Sequence, residues 1–214
     1  MKFSSTILSP IFIAVLFTLG SCKKSSSDDG TGNSTINNFP TPVKNIAPQS
    51  MIDSLRNTGV KVYDGTTPPV INGVYLMTPD SCVYDNSPGN FTGTLFSDYK
   101  FRFSAQNNTS FTVTVEQKAL PAGTLSPTPA YIYISGSGNN FTVFILRTVS
   151  PSGITVEQFN ILSGTLTAGG VQNFHNTLYL RSKGSDPSGT LPPAGTIRRF
   201  VTGGSGLAAT STTF

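Results

Sequence analysis

One histidine, two cysteines and ten carboxylates are the side chains from which this 214-residue chain could build a catalytic or metal centre. A Ser–His–acid triad would need His175 as its base and a serine held at a strained strand-to-helix turn. Gly136-Ser137-Gly138 has the small residues for such a turn, but its surroundings predict a hairpin, so it presents no nucleophile. In the run Val171 to Leu180, His175 falls on the parity opposite Phe174, Leu178 and Leu180. It reads either as a polar group lining a lumen or as a surface histidine. Zinc and iron–sulfur centres need several His or Cys ligands at close spacing, and the chain has neither His-x-x-x-His nor Cys-x-x-Cys. Asp80, Asp85 and Asn86 are near neighbours with oxygen ligands, yet no loop matches an EF-hand. Glycoside hydrolysis would take a converging carboxylate pair. Of Asp53, Asp64, Asp80, Asp85, Asp98, Glu116, Glu157 and Asp186, the two glutamates sit on polar faces of alternating segments and read as solvated charges. The expectation is a protein that is not an enzyme and uses no metal and no cofactor.

Charge narrows the partners. The formal net charge of +4 includes Lys2, Lys23, Lys24 and Lys44, all near the N-terminus. From Ile46 onward there are ten Lys and Arg against eight Asp and Glu, a surplus of two. That is too little for the electrostatic footprint of a nucleic-acid binder.

The first residues read as an address. Met1-Lys2 is a short positive region, Ile7 to Leu19 is mostly apolar, and Leu19-Gly20-Ser21-Cys22 follows at once. The stretch has the form of a secretory signal and is too short to span a membrane as a helix. The tetrad resembles the lipobox of bacterial lipoproteins, whose cysteine carries the acyl chains. That resemblance implies lipidation, palmitate included, at Cys22 and anchorage through the N-terminal acyl chains. Lys23 stands where an aspartate would favour inner-membrane retention, so the expected location is the cell outer membrane. Lys23-Lys24-Ser25-Ser26-Ser27-Asp28-Asp29-Gly30 resembles an export signal of surface-exposed Bacteroidetes-type lipoproteins. The division expected is therefore a signal peptide over 1–22, a flexible Ser/Asn/Gly/Thr tether over 23–47 and a folded domain over 48–214. Cys82 is left without an intramolecular disulfide partner and reads as a small buried hydrophobe.

The elements that must hold any site are mostly strands. Eighteen Phe and Tyr residues lie after position 60, among abundant Gly and Pro. One helix is predicted over Ser50–Asn57, with Ser50 as N-cap, Asp53 completing a near capping box and Gly59 as the stop. Met51, Ile52 and Leu55 share its buried face. Tyr99–Ser104 and Phe111–Glu116 alternate apolar and polar, the pattern of half-buried antiparallel strands, with Asn107-Asn108 between them. Further strands are predicted at Pro68–Leu76, Ser81–Tyr84, Tyr131–Ile134, Phe141–Leu146, Ile154–Thr165, Val171–Arg181 and Thr196–Val201. About eight or nine strands joined to their neighbours favour an all-β antiparallel up-and-down meander closing as a barrel. A β-sandwich is the alternative.

Pro-Pro-x-Ile-x-Gly-x-Tyr at 68–75, Ile-Ser-Gly-Ser-Gly-Asn-Asn-Phe-Thr-Val at 134–143 and Ile-Arg-Arg-Phe-x-x-Gly-x-Gly at 197–206 complete the sequence signature. The chain resembles a group of uncharacterised Bacteroidetes lipoproteins with lipocalin-like barrels. The resemblance implies that Tyr75 occupies the place of the family's first-strand tryptophan, and that Arg198 or Arg199 packs across it to close the barrel.

Aromatic stripes supply the functional expectation. Tyr99, Phe101, Phe103, Phe111, Tyr131 and Tyr133 fall at alternating positions of successive strands, where they either line a ligand cavity or fill the core. The function expected is non-catalytic binding of a small apolar or amphipathic ligand inside the barrel. A surface module binding protein or glycan through its loops is the alternative, and a hydrolase the distant third.

Overall fold

The computed structural model describes residues 38–121, 123 and 131–214, with Tyr131 described by its backbone alone. Two short helices come first, α1 (Thr41–Ile46) and α2 (Gln49–Asn57). The strands are β1 (Thr66–Thr67), β2 (Gly73–Met77), β3 (Asp80–Asp85), β4 (Leu95–Phe96), β5 (Tyr99–Asn107), β6 (Thr112–Ala119), β7 (Tyr131–Ser137), β8 (Asn140–Val149), β9 (Val156–Thr167), β10 (Gly170–Lys183), β11 (Ile197–Thr202) and β12 (Leu207–Thr210).

Eight of these close into an antiparallel barrel in the order β2-β5-β6-β7-β8-β9-β10-β12, with β12 pairing back onto β2. Closure gives each of the eight a paired neighbour on both sides, β6 meeting β7 through the single pair Thr112–Tyr133, and excludes the sandwich. The strand order departs from a plain meander at two places. β3 and β4 leave between β2 and β5, and β11 leaves between β10 and β12; together they form an extension, β11-β3-β4, attached to β10.

The branching rests on β10. Its first residues, Gly170–Gln172, pair with β12, whereas His175–Tyr179 pair with β11 on the same edge. Between them Asn173 adopts a positive φ of 52°, a bulge that shifts the register against β9. Asparagine tolerates this conformation better than a β-branched residue would. Gly170 marks the closure itself: at φ +140° its backbone lies so near β12 that a Cβ would come within 2.2 Å of the Ala208 carbonyl oxygen.

Burial explains the two strand types. β5 and β6 alternate, sending Phe101, Phe103, Val113 and Val115 inward. β8 is buried on both faces from Phe141 through Arg147, because Phe141, Val143 and Ile145 face the lumen while Phe144 and Leu146 meet the helices. Phe39, Val43, Met51, Ile52 and Leu55 complete that outer layer. Full burial of one such side chain contributes about 1.5–3 kcal/mol.

Several expectations change at this level. The folded domain starts upstream of residue 48: Phe39 is 2% exposed and α1 runs through residues assigned to the tether. One buried aromatic and two small apolar residues sufficed, where average composition suggested a coil. α2 has Pro48 as its N-cap and no side-chain cap; Gln49 instead donates to Asp53 at 2.6 Å. Gly59 does provide the stop, at φ +80°. β12, the closing strand, escaped the sequence reading.

Gly170→Ala should lower stability by about 1–3 kcal/mol, the range for forcing a side chain into such backbone. In amide exchange the loss should appear first at β12 and the start of β10. Uniform loss of protection would contradict Gly170 as the closure point.

Candidate functional site

The lumen is not uniformly apolar. Its lower and middle levels are filled by rings in mutual contact: Phe101 and Phe174 have centroids 5.1 Å apart, Tyr75 and Phe103 5.8 Å, and Phe103 and Phe141 6.2 Å. At the end where β8 finishes and β9 begins, the same lumen-facing parity turns polar. Arg147 follows Phe141, Val143 and Ile145 on that face and is 8% exposed. Directly across from it stands Gln158 on β9. Asn160, two residues on, accepts from Gln158 and donates to Asn176 of β10, each at a long 3.5 Å. Asn160 and Asn176 are both buried.

Arg147 is the unusual member. Its Nε is buried without a hydrogen-bond partner, and among the described residues no carboxylate lies within ion-pair distance. Burial holds its pKa below the ordinary arginine value. Four of the eight described acids are ion-paired to other cations: Asp85 to Arg198, Glu116 to Arg102, Glu157 to Arg181 and Asp186 to Lys183. Segment 122–130 contains no Asp or Glu. A buried guanidinium with no counter-charge is costly to keep.

Beside Gln158 the mouth opens into a cleft of about 190 Å³. Val156, Leu178, Leu180, Leu191 and Pro192 give it apolar walls, and Thr196 and Arg198 add polar groups. Thr196 Oγ1 is buried and unpartnered. Arg198 is fixed by donating from Nε to Asp85 at 2.9 Å, with its guanidinium 4.5 Å from the Phe91 ring centroid.

The sequence-predicted residues divide among three places. Tyr99, Phe101 and Phe103 do face the lumen, where Phe101 and Phe103 are packed core. Phe111 sits at the β5–β6 turn with φ 57°, and its carbonyl accepts from Ile134. Tyr133 packs in the outer helix layer, since Ile132 and Ile134 take the inward parity of β7. The Tyr131 side chain and Cys22 lie outside the described residues. The expected arginine–Tyr75 stack gives way to other partners: Tyr75 donates to the Ile71 carbonyl at 3.2 Å and packs on Phe103, while Arg199 donates to the Gly59 carbonyl at 2.6 Å. β11 lies one strand off the barrel wall, too far from β2 to close it as a neighbour.

Two titrating groups lie outside the mouth. His175 faces the outer side, near Arg199 and Lys61, rather than the lumen; burial first, then those two cations, push it down to about 4. Asp80, 1% exposed, is raised to about 7 by burial and by the charge of Asp98. Cys82 is buried and free. Among the described residues no group of three or more His, Cys, Asp or Glu could hold a metal ion.

Arg147, Gln158, Asn160 and Asn176 were missed by sequence reasoning. The available signal was parity: an arginine at the fourth inward position after Phe141, Val143 and Ile145. It was masked because Phe141–Leu146 is apolar on both faces.

The two shifted pKa values act oppositely on stability. Between its ordinary value of 3.8 and about 7, Asp80 keeps its proton when folded and loses it when unfolded, so stability falls as pH rises through that window. Between about 4 and 6.5, His175 stays neutral when folded and is protonated when unfolded, so stability falls as pH drops. Urea titrations should therefore show stability rising with pH over 4.5–6.5 in Asp80→Asn and falling with pH in His175→Gln. Parallel profiles for both variants would contradict the assignments.

No family model, no curated protein and no solved structure matches this chain, so its function is argued from the site itself.

Proposed function

We propose that this protein is a non-catalytic binder of a small apolar or amphipathic molecule, held at the mouth of the barrel. The observation that carries the reading is the cleft of about 190 Å³, apolar along Val156, Leu178, Leu180, Leu191 and Pro192 and sharing Gln158 with the polar end of the lumen. Apolar walls with a few placed polar groups are the usual composition of a small-molecule site. The volume is below the ~300–1,000 Å³ of pockets for drug-sized ligands. It suits a short acyl chain or a single ring, with the rest of the molecule outside. The deeper aromatic core leaves the mouth as the binding region rather than the whole lumen.

In the same reading the protein is a lipoprotein, with Cys22 acylated and the barrel anchored at the cell outer membrane. The lipobox-like Leu19-Gly20-Ser21-Cys22 supports this. Two or three acyl chains give durable attachment where one gives only marginal binding. The alternative, a module that binds protein or glycan through its loops, draws support from Phe91 and Leu95, large apolar side chains that are 41% and 66% exposed.

Native mass spectrometry of the purified chain after incubation in a lipid-rich extract should show a bound small molecule, and Leu191→Trp, which fills the cleft, should abolish it. A clean unliganded mass from the unsubstituted chain overturns the ligand reading. Cys22→Ala should release the protein from the membrane fraction; retention there overturns the lipoprotein reading.

A further inference from the structure

We infer that Arg147 is the anchor for a carboxylate, so that the molecule taken up at the mouth is a mono-anionic amphiphile with its carboxylate inside the barrel and its apolar part in the cleft. The inference rests on the ligand reading above and specifies its chemistry. Three observations carry it. Arg147 is more than nine-tenths buried, and its Nε has no partner. Among the described residues no carboxylate pairs with Arg147, four of the eight being ion-paired to other cations, and segment 122–130 contains none. The groups beside it are neutral amides, Gln158 directly across the strand pair and Asn160 next along β9.

A guanidinium presents paired N–H donors that match the two oxygens of a carboxylate. The amides of Gln158 and Asn160 bring further N–H donors and no competing charge. Each is tied to its neighbour only by a 3.5 Å contact, so it can turn to an incoming oxygen at little cost. One cation balances one negative charge, which favours a carboxylate over a phosphate dianion. Gln158 belongs to both the amide row and the cleft lining, so head and tail sites adjoin. A buried pair formed with the ligand would relieve a buried charge that has no counter-charge among the described residues.

The test uses the full chain and three probes sharing one tail: octanoate, octanol and octyl phosphate, each titrated calorimetrically. Octanoate should bind more tightly than octanol. Arg147→Met should weaken octanoate roughly ten- to a hundredfold, the range of a charge-assisted hydrogen bond, and leave octanol within about twofold. The Met variant should melt no lower than the unsubstituted chain, because it removes an unpaired buried charge. In the unsubstituted chain the Arg147 Nε–H resonance should shift with octanoate and stay fixed with octanol, a readout independent of whether the variant folds. Equal octanoate affinity with and without Arg147, or an unmoved Nε–H resonance, overturns the anchor while octanol binding keeps the ligand reading. Tighter binding of octyl phosphate overturns the carboxylate assignment. Failure of both octanoate and octanol to bind overturns the ligand reading, and the anchor with it.

Discussion

The barrel depends on one strand serving two partners. β10 offers a single free edge, and that edge is shared between β12, which closes the barrel, and β11, which starts the lateral extension. Neither strand could occupy the whole edge without displacing the other. The bulge at Asn173 makes the division workable: it separates the stretch of β10 that pairs with β12 from the stretch that pairs with β11, while β9 stays paired along both. The hydrogen bonds on both sides remain satisfied, which buried backbone demands.

The contrast between the two ends of the lumen follows from that division. Where β12 closes the wall, the interior is filled by Phe103, Phe141 and Val171. Toward the end where β10 pairs with β11, the inward positions are taken by Arg147, Gln158, Asn160 and Asn176. Arg147 sits there at a cost to the fold that its own strand does not offset, since Phe144 and Leu146 are occupied with the helices on the other face. The apolar burial that stabilises the fold is concentrated in the ring-filled lumen and the helix layer, away from the polar end.

How much the sequence disclosed varied with the contrast between faces. β5 and β6 were legible because Tyr99–Ser104 and Thr112–Glu116 pair one apolar face with one polar face, so parity and burial coincide. Tyr131–Ile134 is apolar on both parities, and the expectation places the tyrosines inward; Ile132 and Ile134 take that side instead, with Tyr133 packed against helices distant in sequence. β12, Leu-Ala-Ala-Thr, is too short and too weakly apolar to stand out, although it makes the fold a barrel. α1 was hidden by the Pro, Asn and Thr around it. The expected arginine–tyrosine stack failed for a topological reason: adjacent arginines on a strand point to opposite faces, and β11 is outside the wall that Tyr75 helps to form.

Asn38, Gly65 and Gly136 form a short ladder: Gly65 N–H donates to the Asn38 carbonyl and Gly136 N–H to the Gly65 carbonyl, each at 3.1 Å. This places Asn38 beside the β7–β8 hairpin. Arg147 lies seven residues along β8 from Asn140 at that hairpin, about 23 Å at the usual rise per residue. Asn38, the first described residue, and Arg147 thus mark opposite ends of β8, so a group placed at one end of the strand does not crowd the other.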